Sequence, residues 1–229
     1  MLHHLIELRR RLLRVAAFFF IFFALFFFFR LPVFQMIVAP LIRAFPLGGS
    51  LITTQMTGPL LVPLRLAFDL ALLCSAVVLL IELWAFSVPG LYRHERHEGL
   101  VFLSASLILF VLGVMFCFYG LLPFFFELMI HATPQGVLFM PDITSVMDFI
   151  LILLLVFGLC FQVPLLAVVM VRFHWVSLVT LQNVRPYVIV LAFILGMLLT
   201  PPDVLSQIIV AIPLWFLYEL GILCVRVFR

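Results

Sequence analysis

Apolar residues in this chain run in long blocks, and polar and charged residues collect between the blocks. At about 1.5 Å per residue, a helix needs about 20 mainly apolar residues to cross roughly 30 Å of hydrocarbon. On that measure the pattern predicts an all-α integral membrane protein with six spans, at residues 12 to 34, 64 to 86, 100 to 126, 149 to 172, 186 to 201 and 204 to 225. The last two are joined by little more than Pro201, Pro202 and Asp203. An even number of crossings returns the chain to the side on which it began.

The connections between blocks differ in character. Residues 35 to 63 hold Pro40, Pro46, Gly48, Gly49, Gly58, Pro59 and Pro63, and residues 127 to 148 hold Pro134, Gly136 and Pro141, which predicts irregular but structured caps on one face. Within the first, Phe34 to Phe45 is apolar enough for a short helix at the membrane interface. On the other face the connections are tight, at Phe86 to Gly99, with Pro89 and Gly90, and at residues 173 to 185. No internal repeat is evident, which removes the usual sequence support for a transporter of inverted repeats. Residues 1 to 229 read as a single six-span membrane domain with no soluble domain attached.

The uncharged runs of the last two blocks are short, 17 residues from Pro186 to Pro202 and 15 from Val204 to Tyr218. Short fifth and sixth helices underfill an ordinary bilayer unless they thin it or lie against a partner. The competing reading is that Glu219 and Arg226 mark the membrane boundary inside a longer helix.

Composition and charge fix the class and the orientation. Hydrophobic residues make up 67% of the chain and charged residues 10%, far outside the range of soluble domains. Arg9, Arg10, Arg11, Arg14, Arg93, Arg96, Arg172, Arg185, Arg226 and Arg229 fall on the side of the termini, against Arg30, Arg43 and Arg65 on the other. That bias predicts cytoplasmic N and C termini. The net charge of +3 fits this arginine excess facing anionic lipid, and no basic stripe interleaved with exposed aromatics suggests nucleic acid. No small-residue cleavage site follows the Phe-rich run Phe18 to Phe29, so the first span is expected to be retained. Cys74, Cys117, Cys160 and Cys224 each fall in a different span and read as packing residues.

Candidate chemistry is sparse. There is no G-x-S-x-G, H-E-x-x-H or Gly-rich phosphate loop, and His94, His97 and His174 form no metal-ligand set, so no enzyme, catalytic residue, metal or cofactor is expected. Glu7 lies in a helical pattern where a local i,i+4 pair with Arg11 is the simple expectation, worth about 0.3 kcal/mol. Glu95 sits among two arginines and two histidines at a loop-to-helix transition. The two carboxylates fall on the same side of the membrane, where together they suit a clamp on guanidinium groups by charge-assisted hydrogen bonds. Gln162 and Pro164 lie mid-span in the fourth block, which predicts a kinked, polar helix.

Several motifs then coincide. His4-Leu5-Ile6-Glu7-Leu8-Arg9, Ala39-Pro40-Leu41-Ile42, Trp84-Ala85-Phe86, Pro89-Gly90-Leu91-Tyr92-Arg93-His94-Glu95-Arg96, Phe161-Gln162-Val163-Pro164, Arg185-Pro186-Tyr187 and Gly196-Met197-Leu198-Leu199-Thr200-Pro201-Pro202-Asp203 closely resemble the TatC family, the multispanning subunit of the twin-arginine protein translocase. The motifs run in family order over nearly the whole chain.

The resemblance implies a protein of the bacterial cytoplasmic (inner) membrane that binds twin-arginine signal peptides of folded cargo. It further implies assembly with itself and with single-span subunits of the TatB and TatA type, driven by the proton-motive force. On the same basis Glu7 and Glu95 match the family's binding site for the paired arginines. Leu8, Phe86 and Tyr92 would lower the local dielectric, and Arg9 and Arg93 would orient the carboxylates. Met197, Thr200, Gln207 and Gln162 are the candidates for a docked partner helix, and Pro40, Pro89 and Asp203 for structured loops. One departure stands out: the position of Gln162 is commonly Glu in the family, so a titrating group there is not essential in this chain. The alternative from the residues alone is a proton-coupled small-solute transporter, for which Asp69, Glu82 and Glu219 lie near span ends. A lipid-modifying enzyme has no nucleophile and base to nominate.

Overall fold

The computed structural model describes residues 2–44, 51–54, 56–87, 96–133, 140–200 and 203–227. Among these the chain is helical apart from short connections and one isolated bridge between Ile52 and Asp142. The helices are α1 (Leu2–Phe28), α2 (Arg30–Ala44), α3 (Gly58–Ser87), α4 (Arg96–Phe116), α5 (Leu122–Ala132), α6 (Ile143–Cys160), α7 (Val163–Arg172), α8 (Leu178–Leu199) and α9 (Val204–Val227). Six stretches are long and apolar enough to span a bilayer: Arg9–Phe28, Leu60–Ala85, Gly99–His131, Ile143–Arg172, Leu178–Leu199 and Val204–Val227.

Prolines explain where these helices depart from the sequence expectation. The first span, expected to run to 34, ends at Phe28 because Pro32 has no N–H to offer the Phe28 carbonyl. The chain turns at Phe29, whose amide donates to Leu25 and whose carbonyl accepts from Val33. The helix expected from Phe34 therefore starts at Arg30. In the third span, the Leu122 amide reaches back five residues to the Cys117 carbonyl, and Cys117–Leu121 widens into a π-helical turn ahead of Pro123. The wider turn accommodates the proline ring without ending the span. In the fourth span Pro164 cannot pair with the Cys160 carbonyl, and the helix breaks there into α6 and α7, the expected kink.

The fifth and sixth helices have 22 and 24 residues, shorter than the 33- and 30-residue third and fourth spans but longer than their uncharged runs. The charges that cut those runs short face each other: Arg185 Nη2 donates to Glu219 Oε2 at 2.8 Å. A paired charge continues a packed helix where a lone one would end it.

The described residues group into two compact units. The first comprises residues 1–107 with 126–151. In it α1 runs antiparallel to α3: Phe19 and Phe23 meet Phe68 at ring separations of 5.2 and 6.3 Å, and nearer the N terminus of α1, Arg11 meets Glu82. The connection ahead of α3 is tied to the one ahead of α6, since the Ile52 amide donates to Pro141 O and the Ile143 amide to Ile52 O. Arg65 on α3 pairs with Asp148 on α6 at 2.8 Å.

The second unit comprises residues 108–125 with 152–229. In it α9 packs against both α7 and α8, and Ala167, Leu181, Tyr218, Ile222 and Val225 form a buried cluster. Tyr218 donates its hydroxyl to the Leu181 carbonyl at 2.8 Å. Two close approaches require glycine. A Cβ on Gly113 would lie 2.7 Å from the Phe157 carbonyl oxygen, and one on Gly196 would lie 2.9 Å from that of Gln207. The α8–α9 hairpin is finished by Asp203, whose carboxylate caps α9 through the Ser206 amide at 2.8 Å.

The hairpin yields a paired prediction. Asp203→Ala removes the cap and is expected to cost about 1 kcal/mol, whereas Asp203→Asn, an equally good cap residue, stays within a few tenths. Thermal unfolding of the detergent-solubilised protein checks both. Equal stability of the Ala variant and the parent would contradict the capping role.

Candidate functional site

Glu7, Arg11 and Arg14 recur at intervals of four and three residues, so they share one face of α1. Arg11 uses all three guanidinium nitrogens. Nη2 and Nε donate to Glu7 Oε1 at 2.6 and 3.2 Å, and Nη1 donates to Glu82 Oε2 and to the Glu82 carbonyl, each at 3.1 Å. Nη2 also reaches the Ala85 carbonyl at 3.2 Å. Arg14 Nη1 takes the other Glu82 oxygen at 2.9 Å. The expectation of a purely local Glu7–Arg11 pair is thus corrected: the pair forms, and it continues onto α3.

Among the described residues, two carboxylates and two guanidinium groups make up this quartet. Its depth is graded, because the side chains of Arg11 and Glu82 are each 12% exposed while those of Glu7 and Arg14 are 42% and 53% exposed. The guanidinium of Arg11 also meets carbonyls in the last turns of α3, the end of a helix that favours cations. Trp84, in the same stretch of α3, stacks on Phe102 of α4 with ring centroids 5.7 Å apart.

Of the residues expected to hold the paired arginines, Glu7 and Arg9 have described side chains. Glu7 is engaged by Arg11, and Arg9 is exposed. Leu8 and Phe86 are placed as helical residues of α1 and α3, with side chains outside the described set, as is that of Pro40 in α2. Pro89, Tyr92, Arg93 and Glu95 lie outside the described residues.

The docking candidates separate into open and buried positions. Met197 is 61% exposed on α8. Thr200 is buried, with its hydroxyl bonded to the Gly196 carbonyl at 2.9 Å, and Gln207 gives its side-chain amide to the Phe193 carbonyl at 2.8 Å. Gln162 is 5% exposed at the α6–α7 break, an interior position. Among the described residues no group of three or more His, Cys, Asp or Glu is arranged to hold a metal ion.

The profile of the Sec-independent protein translocase protein (TatC) family matches residues 3–213. The chain belongs to the TatC family. It is 39% identical over 229 residues to the TatC protein of Haemophilus influenzae, covering all of this chain and 90% of that one. It is 38% identical over 222 residues to that of Escherichia coli K12, covering 97% of this chain and 86% of that one. A crystal structure of a twin-arginine translocase receptor, TatC, superposes with a TM-score of 0.89 at 31% identity, covering 98% of each chain. A TatC family member with six spanning helices is a multi-pass component of the bacterial inner membrane, working in the Sec-independent translocase with its other subunits. These names support the translocase reading and not that of a small-solute transporter.

The roles of two residues escaped the sequence reading. Glu82 is the inner carboxylate of the quartet, and nothing in its own neighbourhood announces a partner 71 positions away on α1. Asp142 is the other, and its signal was present in Pro141-Asp142-Ile143-Thr144-Ser145 ahead of an apolar run. It caps α6 through the Thr144 and Ser145 amides at 3.2 and 3.3 Å. It also accepts from the Thr54 amide and hydroxyl at 3.0 and 2.9 Å.

The Thr54 amide above all, with the Thr54 hydroxyl and the Ser145 amide, holds the Asp142 carboxyl below the usual carboxylate range, against a smaller opposing effect of desolvation. A depressed pKa contributes stability above the unfolded-state value of about 3.9 and loses it as pH falls through the folded-state value. Exchange protection of the Ile52 and Ile143 amides, corrected for intrinsic rates, is therefore expected to hold at neutral pH and fall in acid below that range. In Asp142→Asn this acid step is expected to vanish. A step that persisted in the variant would assign it to another group.

Proposed function

We propose that this chain is the signal-peptide receptor and core subunit of a twin-arginine translocase. It binds the paired arginines of signal peptides on folded cargo and assembles with single-span TatB- and TatA-type subunits for export driven by the proton-motive force. The observation that carries this reading is chemical: the Glu7 carboxylate already holds a guanidinium, at 2.6 Å, at the end of a spanning helix. A group that accepts one guanidinium by a charge-assisted contact is suited to accept another. The TatC membership and the likeness to a solved twin-arginine translocase receptor support the same reading.

The arginine bias puts both termini, and with them Glu7, on the cytoplasmic side, where a signal peptide arrives before transport. Glu95 supplies the second carboxylate, with Leu8, Phe86 and Tyr92 as an apolar surround and Arg9 and Arg93 balancing charge. Partner helices dock along the α8–α9 edge, where Met197 offers an open apolar contact. Gln162, Thr200 and Gln207 act from inside that edge by holding the helices together, and further copies of the chain complete the receptor. No step in this function requires a catalytic group or a cofactor.

Binding of a labelled peptide with two consecutive arginines to the detergent-purified chain, against the same peptide with both changed to lysine, tests the proposal. The arginine peptide is expected to bind selectively. Glu7→Gln or Glu95→Gln is expected to weaken it roughly 10- to 100-fold, the range for a hydrogen bond to a charged group. Equal binding of both peptides, or binding unchanged in both variants, would overturn the receptor reading.

A further inference from the structure

The contact between the first turns of α3 and α6 carries two carboxylates and one guanidinium. Arg65 Nη1 on α3 meets Asp148 Oδ2 on α6 at 2.8 Å, and Asp69 stands one turn further along α3, on the same face as Arg65. All three lie inside spanning stretches. Asp69 is nine residues past Leu60, about 14 Å along the helix axis, and Asp148 is five residues past Ile143, about 8 Å. Asp69 is half-buried and accepts no hydrogen bond among the described residues. Arg65 and Asp148 are the charges that act on it, and Asp142, the cap of α6, is a further neighbour of Asp148. The surrounding helices do not restore the balance. Residues 15–28 of α1 carry no charge, and on α2 the Arg30 guanidinium lies over the Phe27 ring at 4.8 Å, while the side chain of Arg43 is outside the described set. On α4, Arg96, His97 and Glu98 sit at its start, the end that the Trp84–Phe102 stack places beside the last turns of α3. Glu127 and His131 on α5, which meets α6 through Phe126 and Phe149, are not among the charges acting on either aspartate.

Hydrocarbon penalises net charge, so Arg65 answers one carboxylate and the other needs a proton. From this geometry we infer that Asp69 and Asp148 hold one proton between them and alternate as the partner of Arg65. In the arrangement seen, Arg65 is on Asp148 and the proton is on Asp69. In the other, Arg65 returns to Asp69 on its own helix, the O–H bond on Asp69 breaks and one forms on Asp148. Arg65 keeps its charge throughout, and the three side chains together are neutral in both arrangements. The Arg65 side chain is 57% exposed, so its long stem swings between the two carboxylates without crossing the core. The first arrangement ties α3 to α6 and the second releases that tie. Protons reaching the starts of these helices therefore act on how firmly the two are joined, in a chain whose fourth-span motif carries an amide, Gln162, in place of a titrating group. The exchange belongs to α3 and α6 themselves, whatever the chain binds.

Infrared spectroscopy of the purified full chain in detergent, taken as parent-minus-variant differences at neutral pH, reads the C=O stretch of a protonated carboxyl directly. Asp69→Asn is expected to abolish one such band, because Asp148 keeps Arg65. Asp148→Asn is expected to abolish the same band although Asp69 is intact, because Arg65 then passes to Asp69. A merely structural Arg65–Asp148 bridge would leave the Asp69 signal untouched. Arg65→Gln is expected to raise the band roughly twofold, since both carboxylates then need a proton. If Arg65→Gln does not accumulate as folded protein, the two aspartate variants carry the test by themselves. A parent with no protonated carboxyl that Asp69→Asn removes, a band that survives in Asp148→Asn, or a band unchanged in folded Arg65→Gln overturns the inference.

Discussion

Hydrocarbon offers no hydrogen-bond partner, so every polar group that this chain carries into the bilayer must be answered by the chain itself. The helices follow from that constraint, and so do their interruptions. Pro32 turns the chain between α1 and α2, where Phe29 keeps its amide and its carbonyl bonded across the corner. Pro123 is carried by a π-helical turn, and Pro164 by a clean break after Cys160. At the helix starts, Ser177 accepts from the Thr180 amide at 3.1 Å and Asp203 from that of Ser206 at 2.8 Å, each satisfying an amide that the helix itself cannot. Each irregularity has a local repair, which is why a chain with 14 prolines still builds six spanning stretches.

Charge obeys the same rule over longer distances. Arg11 and Arg14 meet Glu82, Arg65 meets Asp148, and Arg185 meets Glu219, each joining different helices. These pairs fix which helices lie together and at what register, because a one-residue slip would strand an ion against lipid. They also differ in permanence. Where both partners are 12% exposed, as for Arg11 and Glu82, separation would leave a charge without water. Where one partner reaches solvent, as Glu7 does at 42% exposure, water screens the pair and its separation costs less.

The spans were legible because lipid burial leaves a simple mark, a long apolar run, and the proline kink in the fourth span was legible from Pro164 alone. The local half of the quartet was legible too, since Glu7 and Arg11 share a helical face at one-turn spacing. The other half was not. Glu82 joins only after α1 and α3 pack antiparallel, with Phe19 and Phe23 against Phe68 setting the register. The start of α8 was placed too late for the same reason, because a charge at position 185 reads as a boundary until its partner Glu219 on the neighbouring helix is seen. Sequence spacing exposes contacts within a helix; contacts between helices depend on a register that no single segment contains.

Gln162 shows what that register implies for mechanism. Its motif resembles one in which a Glu is common, and its place at the α6–α7 break is 5% exposed, so a carboxylate there would need a proton or a cation to remain. An amide needs neither. It offers two donors and an acceptor with no charge at any pH, and its backbone closes the break by accepting from Leu166 at 2.9 Å and donating to Leu159 at 3.0 Å. What this chain retains at the position is therefore hydrogen-bonding capacity where a proline has interrupted the helix, and what it gives up is titration. Any dependence of transport on proton movement must then act through groups other than the side chain at 162.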